Sequence, residues 1–266
     1  MIKGLEEFTP KYHGIFETHA HYGDHVFDGD REELLSSLPE LGVDRAICVG
    51  YDLPSSQKAA EIAGRFPHIY AAVGFHPENL HEYSEEGVQQ IARLLEQQKV
   101  IAIGEIGLDY HWKEMPPELQ KQAFTRQLQL ARELNFPVII HAREATADTL
   151  EILADFKEVR GVLHCFSGSA ETAKIVTGWG FYIGFTGVLT FKNARQPVEA
   201  CTEVPMDKLL LETDCPYMAP IPWRGKRSCS PMIQSTAERM AEIKGVSPQQ
   251  MIDIAAENAR RLFGVE

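Results

Sequence analysis

The sequence predicts a closed parallel (β/α)8 barrel of the TIM type, an α/β fold, and three observations carry that expectation. Short runs of apolar and β-branched residues alternate with longer stretches of helical period along nearly all of the 266 residues. Several of those runs end on a histidine or a carboxylate, as expected where the ends of parallel strands converge on one barrel mouth. The first run leads into His19-Ala20-His21 rather than a glycine-rich turn. Neither G-x-G-x-x-G nor a Walker-type loop occurs, which tells against an open nucleotide-binding sheet.

Taken in order, residues 14–17 form the opening strand before His19. Residues 45–49 read as a strand, 55–66 as a helix, 69–75 as a strand and 84–97 as a helix. The fourth strand, 100–103, precedes a long amphipathic helix over 117–134, which begins with Pro117 where a missing N–H is harmless. Strands at 138–140, 161–163, 181–185 and 209–211 complete the set of eight, with helices at 145–156 and 170–177 between them. Residues 215–230, rich in proline, glycine and basic side chains, read as a long functional loop after the last strand. Helices at 231–243 and 248–263 then close what is expected to be one domain spanning 1–266.

Composition narrows the function classes. The 38 acidic and 26 basic residues give a net charge of −12, which tells against coating a duplex through a broad basic face. Any polyanion must be held locally. No apolar stretch approaches the roughly 18 residues needed to span a bilayer, and residues 1–10 lack a secretory signal, so a soluble cytoplasmic protein is expected. The five cysteines form no C-x-x-C pair and read as reduced, packed thiols.

Six residues able to bind a metal stand at strand ends: His19, His21, Glu105, His141, His164 and Asp214. Each alone has a bland alternative, such as a hydrogen-bonded core histidine, a glutamate paired to an arginine or a turn aspartate before proline. Together they suggest a two-metal hydrolytic site. Glu105, flanked by glycines and apolar residues, is costly to bury without a cation, and its two oxygens allow it to bridge two ions. Asp214 is the expected proton acceptor. His76, in Gly74-Phe75-His76-Pro77, is expected to reach a substrate phosphate or leaving group, a structural role being the alternative. Arg143, Lys192, Arg224, Lys226 and Arg227 follow strands and are candidate phosphate clamps, or else a solvated basic surface.

These residues resemble the TatD-type metal-dependent deoxyribonucleases within the amidohydrolase-like barrels. The likeness covers nearly the whole chain. It rests on the His19 and His76 motifs, on Gly104 to Tyr110, Pro137 to Arg143, His164-Cys165-Phe166-Ser167-Gly168 and Leu211 to Tyr217. The resemblance implies a (β/α)8 barrel, the six metal ligands above and DNA as the substrate class. Glu105 occupies the place where related amidohydrolases often carry a carbamylated lysine. The sequence departs from the family twice: Glu17 replaces the usual aspartate before the first histidine pair, and Arg224 to Pro231 lacks the usual asparagine and is one residue longer.

The ligand set implies two divalent cations, with zinc, manganese, cobalt or iron suiting four imidazoles better than magnesium, the ion generally associated with the family's activity. The expected activity is trimming of single-stranded or frayed DNA ends, with no membrane and no obligate protein partner. The main rival is hydrolysis of a small amide, lactone or phosphoester in the same barrel, since fold and metals do not specify the substrate. A metal-carrying scaffold is the non-enzymatic rival.

Overall fold

In the computed structural model, which describes Leu5 and residues 8–265, one sheet runs in the order β1 to β8 with every neighbouring pair parallel. The strands are β1 Ile15–Ala20, β2 Val43–Val49, β3 Ile69–Val73, β4 Val100–Asp109, β5 Val138–Arg143, β6 Gly161–Leu163, β7 Tyr182–Phe185 and β8 Leu209–Leu211. The helices are α1 Arg31–Ser37, α2 Leu53–Arg65, α3 Glu85–Leu94, α4 Pro117–Leu134, α5 Thr146–Leu153, α6 Ala170–Gly178, α7 Arg195–Glu203, α8 Ile233–Lys244 and α9 Pro248–Phe263. Sequence patterning locates β6, β8, α4 and α9 at the observed bounds. It misses the short helices α1 and α7.

α1 is preceded by Asp30, a preferred capping type whose side chain pairs with Arg227 and makes no cap hydrogen bond, and α7 by Ala194, which has no side chain to cap with. Both helices form because packing buries a small apolar face, Leu34 and Leu35 in α1 and Ala200 and Cys201 in α7. At two other helices the capping signal is used. Asp52 caps α2 and Ser247 caps α9, each in a reciprocal capping box followed by proline in the first turn.

Alternation along the strands divides the buried residues into two clusters. Phe16, Ile47, Val49, Ala72, Ala102, Ile139, Val162, Tyr182 and Leu210, drawn from all eight strands, pack together and against α9, filling the barrel. Their strand neighbours, such as Ile15, Cys48, Val73, Ile103 and Leu211, belong to the larger cluster that includes the helices. This alternation changes phase twice. Glu17 pairs with Ala46 and Ala20 with Cys48, so β1 carries one extra residue there. Ile103 pairs with Val138 and Ile106 with Ile140, so β4 does the same. Each bulge turns the odd-numbered side chains toward the barrel axis just before His19 and Glu105.

The last seam is made by the residues around the site. β8 stops at Leu211, and closure onto β1 comes from an Ala20–Cys215 bridge, with Asp214 N donating to His19 O at 2.9 Å and His21 N to Cys215 O at 2.8 Å. No helix among the described residues is long and apolar enough to cross a membrane.

Candidate metal centre

Inside the mouth, the two oxygens of Glu105 face two groups of histidines. Oε1 lies 2.6 Å from His164 Nε2, 3.0 Å from His141 Nδ1 and 3.4 Å from His76 Nε2. Oε2 lies 3.3 Å from His19 Nε2 and 3.5 Å from His21 Nε2. Asp214 Oδ1 completes the second group, 3.3 Å from His21 Nε2 and 3.7 Å from His19 Nε2. All six ligands expected from the sequence therefore converge, together with His76, and each reaches the mouth from its own strand end except the His19–His21 pair, which shares β1. Glu105 lies within β4 rather than after it, because the strand continues to Asp109.

The donor set fits divalent cations. His19 Nε2 and His21 Nε2 stand 3.1 Å apart with carboxylate oxygens beside both. Two ligands of one ion, each about 2.0–2.1 Å from it, lie roughly 3–3.4 Å apart. The buried Nδ1 atoms of His19 and His164 have no hydrogen-bond partner, so no network competes for these rings. Three subsets, His19–His21–Asp214, His19–Glu105–His164 and His76–Glu105–His141, each bring one donor atom per residue within 4.8 Å of the others.

The surrounding hydrogen bonds orient this set. His21 Nδ1 is 3.0 Å from Val49 O and His141 Nε2 is 2.8 Å from Asp109 Oδ2, which leaves His21 Nε2 and His141 Nδ1 to face the centre. Glu17, buried, accepts from His19 N at 3.1 Å, Thr213 N at 2.9 Å and Thr213 Oγ1 at 2.6 Å, so its longer side chain ties β1 to the segment carrying Asp214. Glu212 accepts from Thr18 Oγ1 and from the Cys165 backbone, and its carboxylate occupies the space where a Cβ on Gly184 would stand. That close approach is why β7 carries glycine there.

Charge follows geometry. Burial raises the Glu105 carboxyl, but the facing imidazoles of His164, His76 and His19 outweigh it and hold the group well below the usual carboxylate range. Burial likewise raises Asp214, and a hydrogen bond from His21 overcomes it to lower the group. Glu17 has no such cation, so burial pushes it up to about 8 despite its hydrogen bonds to Thr213 and His19. Both carboxylates of the centre are thus anionic, while the one supporting the seam resists ionisation.

Above the centre opens a cavity of about 770 Å³, lined by Tyr51, Trp112, Phe166, Tyr217, Met218 and Arg143 among others. Trp112 and Tyr217 are 51% and 55% exposed, large apolar surfaces at a polar site. Sequence reasoning passes over these aromatics because no spacing marks them; only their shared exposure on the mouth does.

The basic residues separate. Arg143 lines the cavity, its guanidinium 5.7 Å over the Trp112 ring. Lys192, Arg224, Lys226 and Arg227 do not line it. Arg224 lies 4.0 Å over Phe191. Arg227 is the clear correction to the phosphate-clamp expectation: its fork is held by Asp30 at 2.7 and 2.6 Å and by Val26 O, over the Phe27 ring. Its charge is taken by Asp30, so it fastens the 215–230 loop to the segment before α1.

Comparison with known proteins places the chain in a family. A family model described as TatD related DNase matches residues 16–264. The chain is 43% identical over 253 residues to a Bacillus subtilis protein named "Uncharacterized metal-dependent hydrolase YabD", covering 94% of this chain and 99% of the relative. It is 33% identical over 258 residues to the Salmonella typhimurium "3'-5' ssDNA/RNA exonuclease TatD", with 94% and 99% covered. The solved structure of the TatD homologue YJJV from Escherichia coli superposes with a TM-score of 0.89 at 28% identity, covering 95% of this chain and 99% of that one. With the family model spanning the barrel and a histidine–carboxylate cluster able to hold metal at its mouth, the chain belongs to the TatD-related DNases, as a metal-dependent hydrolase of the TIM-barrel class.

Proposed function

We propose that this hydrolase removes nucleotides from the ends of single-stranded or frayed DNA. The carrying observation is the pairing of a Glu105 whose two oxygens address two histidine groups with a cavity rimmed by exposed Trp112 and Tyr217. Exposed aromatic faces favour unpaired bases, which stack without regard to sequence, at about 1–3 kcal/mol per base. A duplex keeps its bases inside. The names of the exonuclease relatives support the same substrate class, extend it to RNA and point to attack from the 3′ end.

His19, His21, Asp214 and Glu105 would hold one ion and His141, His164 and Glu105 the other, with His76 facing the same Glu105 oxygen. Bound there, two divalent ions supply an activated water and neutralise charge growing on the phosphoryl oxygens. Asp214, anionic and at the rim of the centre, accepts the proton of the attacking water. Arg143 meets a phosphate at the cavity wall, and Trp112 beside it holds the adjacent base. His76 remains as a donor toward the leaving oxygen.

The test is a side-by-side assay of DNA and RNA strands labelled at either end, blunt duplex, and generic esters and lactones, all with metal added. Stepwise shortening of single strands from the 3′ end is the expected result. Rapid lactone or ester hydrolysis with DNA left intact would transfer the site to the small-substrate reading.

A further inference from the structure

We propose that Asp109 couples metal occupancy on the His141 side of the centre to the ordering of the 110–115 loop, which carries Trp112. The carboxylate is fully buried, has the Glu78 carboxyl beside it, and links a site imidazole to the loop backbone. Oδ2 lies 2.8 Å from His141 Nε2. Oδ1 accepts from the backbone N–H of His111 at 2.9 Å and of Trp112 at 3.1 Å. A buried glutamine on α4 holds both ends of the same loop: Gln120 Oε1 accepts from Asp109 N at 2.8 Å, while its Nε2 donates to Asp109 O at 2.8 Å and Met115 O at 3.0 Å. The metal ligand and the aromatic wall therefore share one anion on a braced backbone.

The direction of coupling follows from the imidazole. Nε2 of His141 lies 2.8 Å from Asp109, which leaves Nδ1, 3.0 Å from Glu105 Oε1, as the nitrogen that would give up its proton and offer its lone pair to an ion. An ion at Nδ1 withdraws electrons from the ring and makes Nε2–H a stronger donor, drawing Oδ2 toward it and fixing the carboxylate plane. Oδ1 is then held in place for the two loop amides. By linkage, anything that orders the loop tightens metal binding by the same factor. The inference rests on the nuclease reading only in taking Trp112 as a substrate contact; the coupling itself needs no substrate.

The chain has three tryptophans, so Trp179→Phe with Trp223→Phe leaves Trp112 as the single reporter. Zinc is the probe, because a d¹⁰ ion does not itself quench through open-shell states. Trp112 emission is expected to shift in step with zinc occupancy measured by calorimetry, and the His111 and Trp112 amides to gain protection from hydrogen exchange. Asp109→Asn separates the two tasks. If its oxygen faces the loop, its NH2 faces His141 Nε2 and drives the proton to Nδ1; if it turns, the NH2 meets two backbone donors. Zinc affinity on that side should fall by about 10–100-fold and emission should cease to follow occupancy.

Zinc binding with unchanged emission and exchange in the single-tryptophan protein would overturn the proposal even if the Asp109 variant failed to fold. An Asp109→Asn protein with the original affinity and the original emission shift would remove Asp109 as the link. Absence of any zinc binding would overturn it along with the metal centre. Intact coupling in a protein that leaves DNA uncut would leave the proposal standing and remove the nuclease reading alone.

Discussion

Glu105 shows how much one side chain decides. Its carboxylate is 3% exposed and touches five imidazoles, and an anion buried so deeply is costly unless positive charge stands beside it. Glu105→Ala should abolish hydrolysis with the circular dichroism spectrum unchanged, because two cations lose the anion between them and metal content drops below two per chain. Turnover retained with two ions bound would remove its bridging role. Asp214→Asn makes the informative contrast. It keeps an oxygen for the His19–His21 side but loses the base, so the rate should fall by about 10²–10⁴-fold with much of the metal kept. The convergence of these two carboxylates on the histidines was legible from residue type and position at strand ends. The support beneath them was not: Asp109 and Glu212 lie in quoted motifs, yet nothing in the sequence says which ring or amide each carboxylate meets.

At the scale of elements, α4 acts as a splint as well as a barrel wall. Gln120 and Gln127 are seven residues apart, two turns along one face, and both are buried. Gln127 Oε1 accepts from Phe75 N at 2.8 Å and its Nε2 donates to Phe75 O at 3.1 Å, so one amide satisfies the backbone that delivers His76. Gln127→Leu strands both backbone groups and should cost about 2–4 kcal/mol, read as a lower urea midpoint. An unchanged midpoint would mean that water replaces the amide. Glutamines inside a helical pattern look like exposed polar positions, which is why their role escapes sequence reading. The 215–230 loop offers a second prediction. Arg227→Ala removes the two-pronged ion pair with Asp30 and should destabilise by about 3 kcal/mol, whereas Arg224→Ala should stay within about 1 kcal/mol. Equal thermal midpoints for the two variants would contradict the division of labour between these arginines.

For the whole molecule, charge sets how a polyanion is approached. With a net charge of −12 and one arginine lining the cavity, few phosphates are neutralised on binding. The affinity for a single-stranded oligonucleotide, measured in a catalytically inactive variant, should fall with salt at a logarithmic slope of about −1. A slope near −4 would require the loop cations in the contact surface, against their observed positions. On the proposed nuclease reading little surface charge is needed: the strands bring the histidines and carboxylates to one end, and ions bound there would carry the charge that the protein surface lacks.

The sequence by itself determined the architecture and which histidines and carboxylates gather at the barrel mouth. Strand and helix periods are local, their alternation has one compact parallel solution, and histidines and carboxylates at the ends of apolar runs can converge only if that solution closes. Tertiary structure alone decided the phase and the neighbourhood. The bulges in β1 and β4, which aim His19 and Glu105 inward, are register shifts against β2 and β5 and have no existence within a single strand. The partners of Arg227, nearly 200 residues away in sequence at Asp30, and the gathering of Tyr51, Trp112, Phe166 and Tyr217 around one cavity are likewise set by which loops the barrel brings side by side. Chemistry follows residue type, which the chain carries everywhere; contact follows chain folding, because pairwise distance is a property of the closed sheet and not of any segment in it.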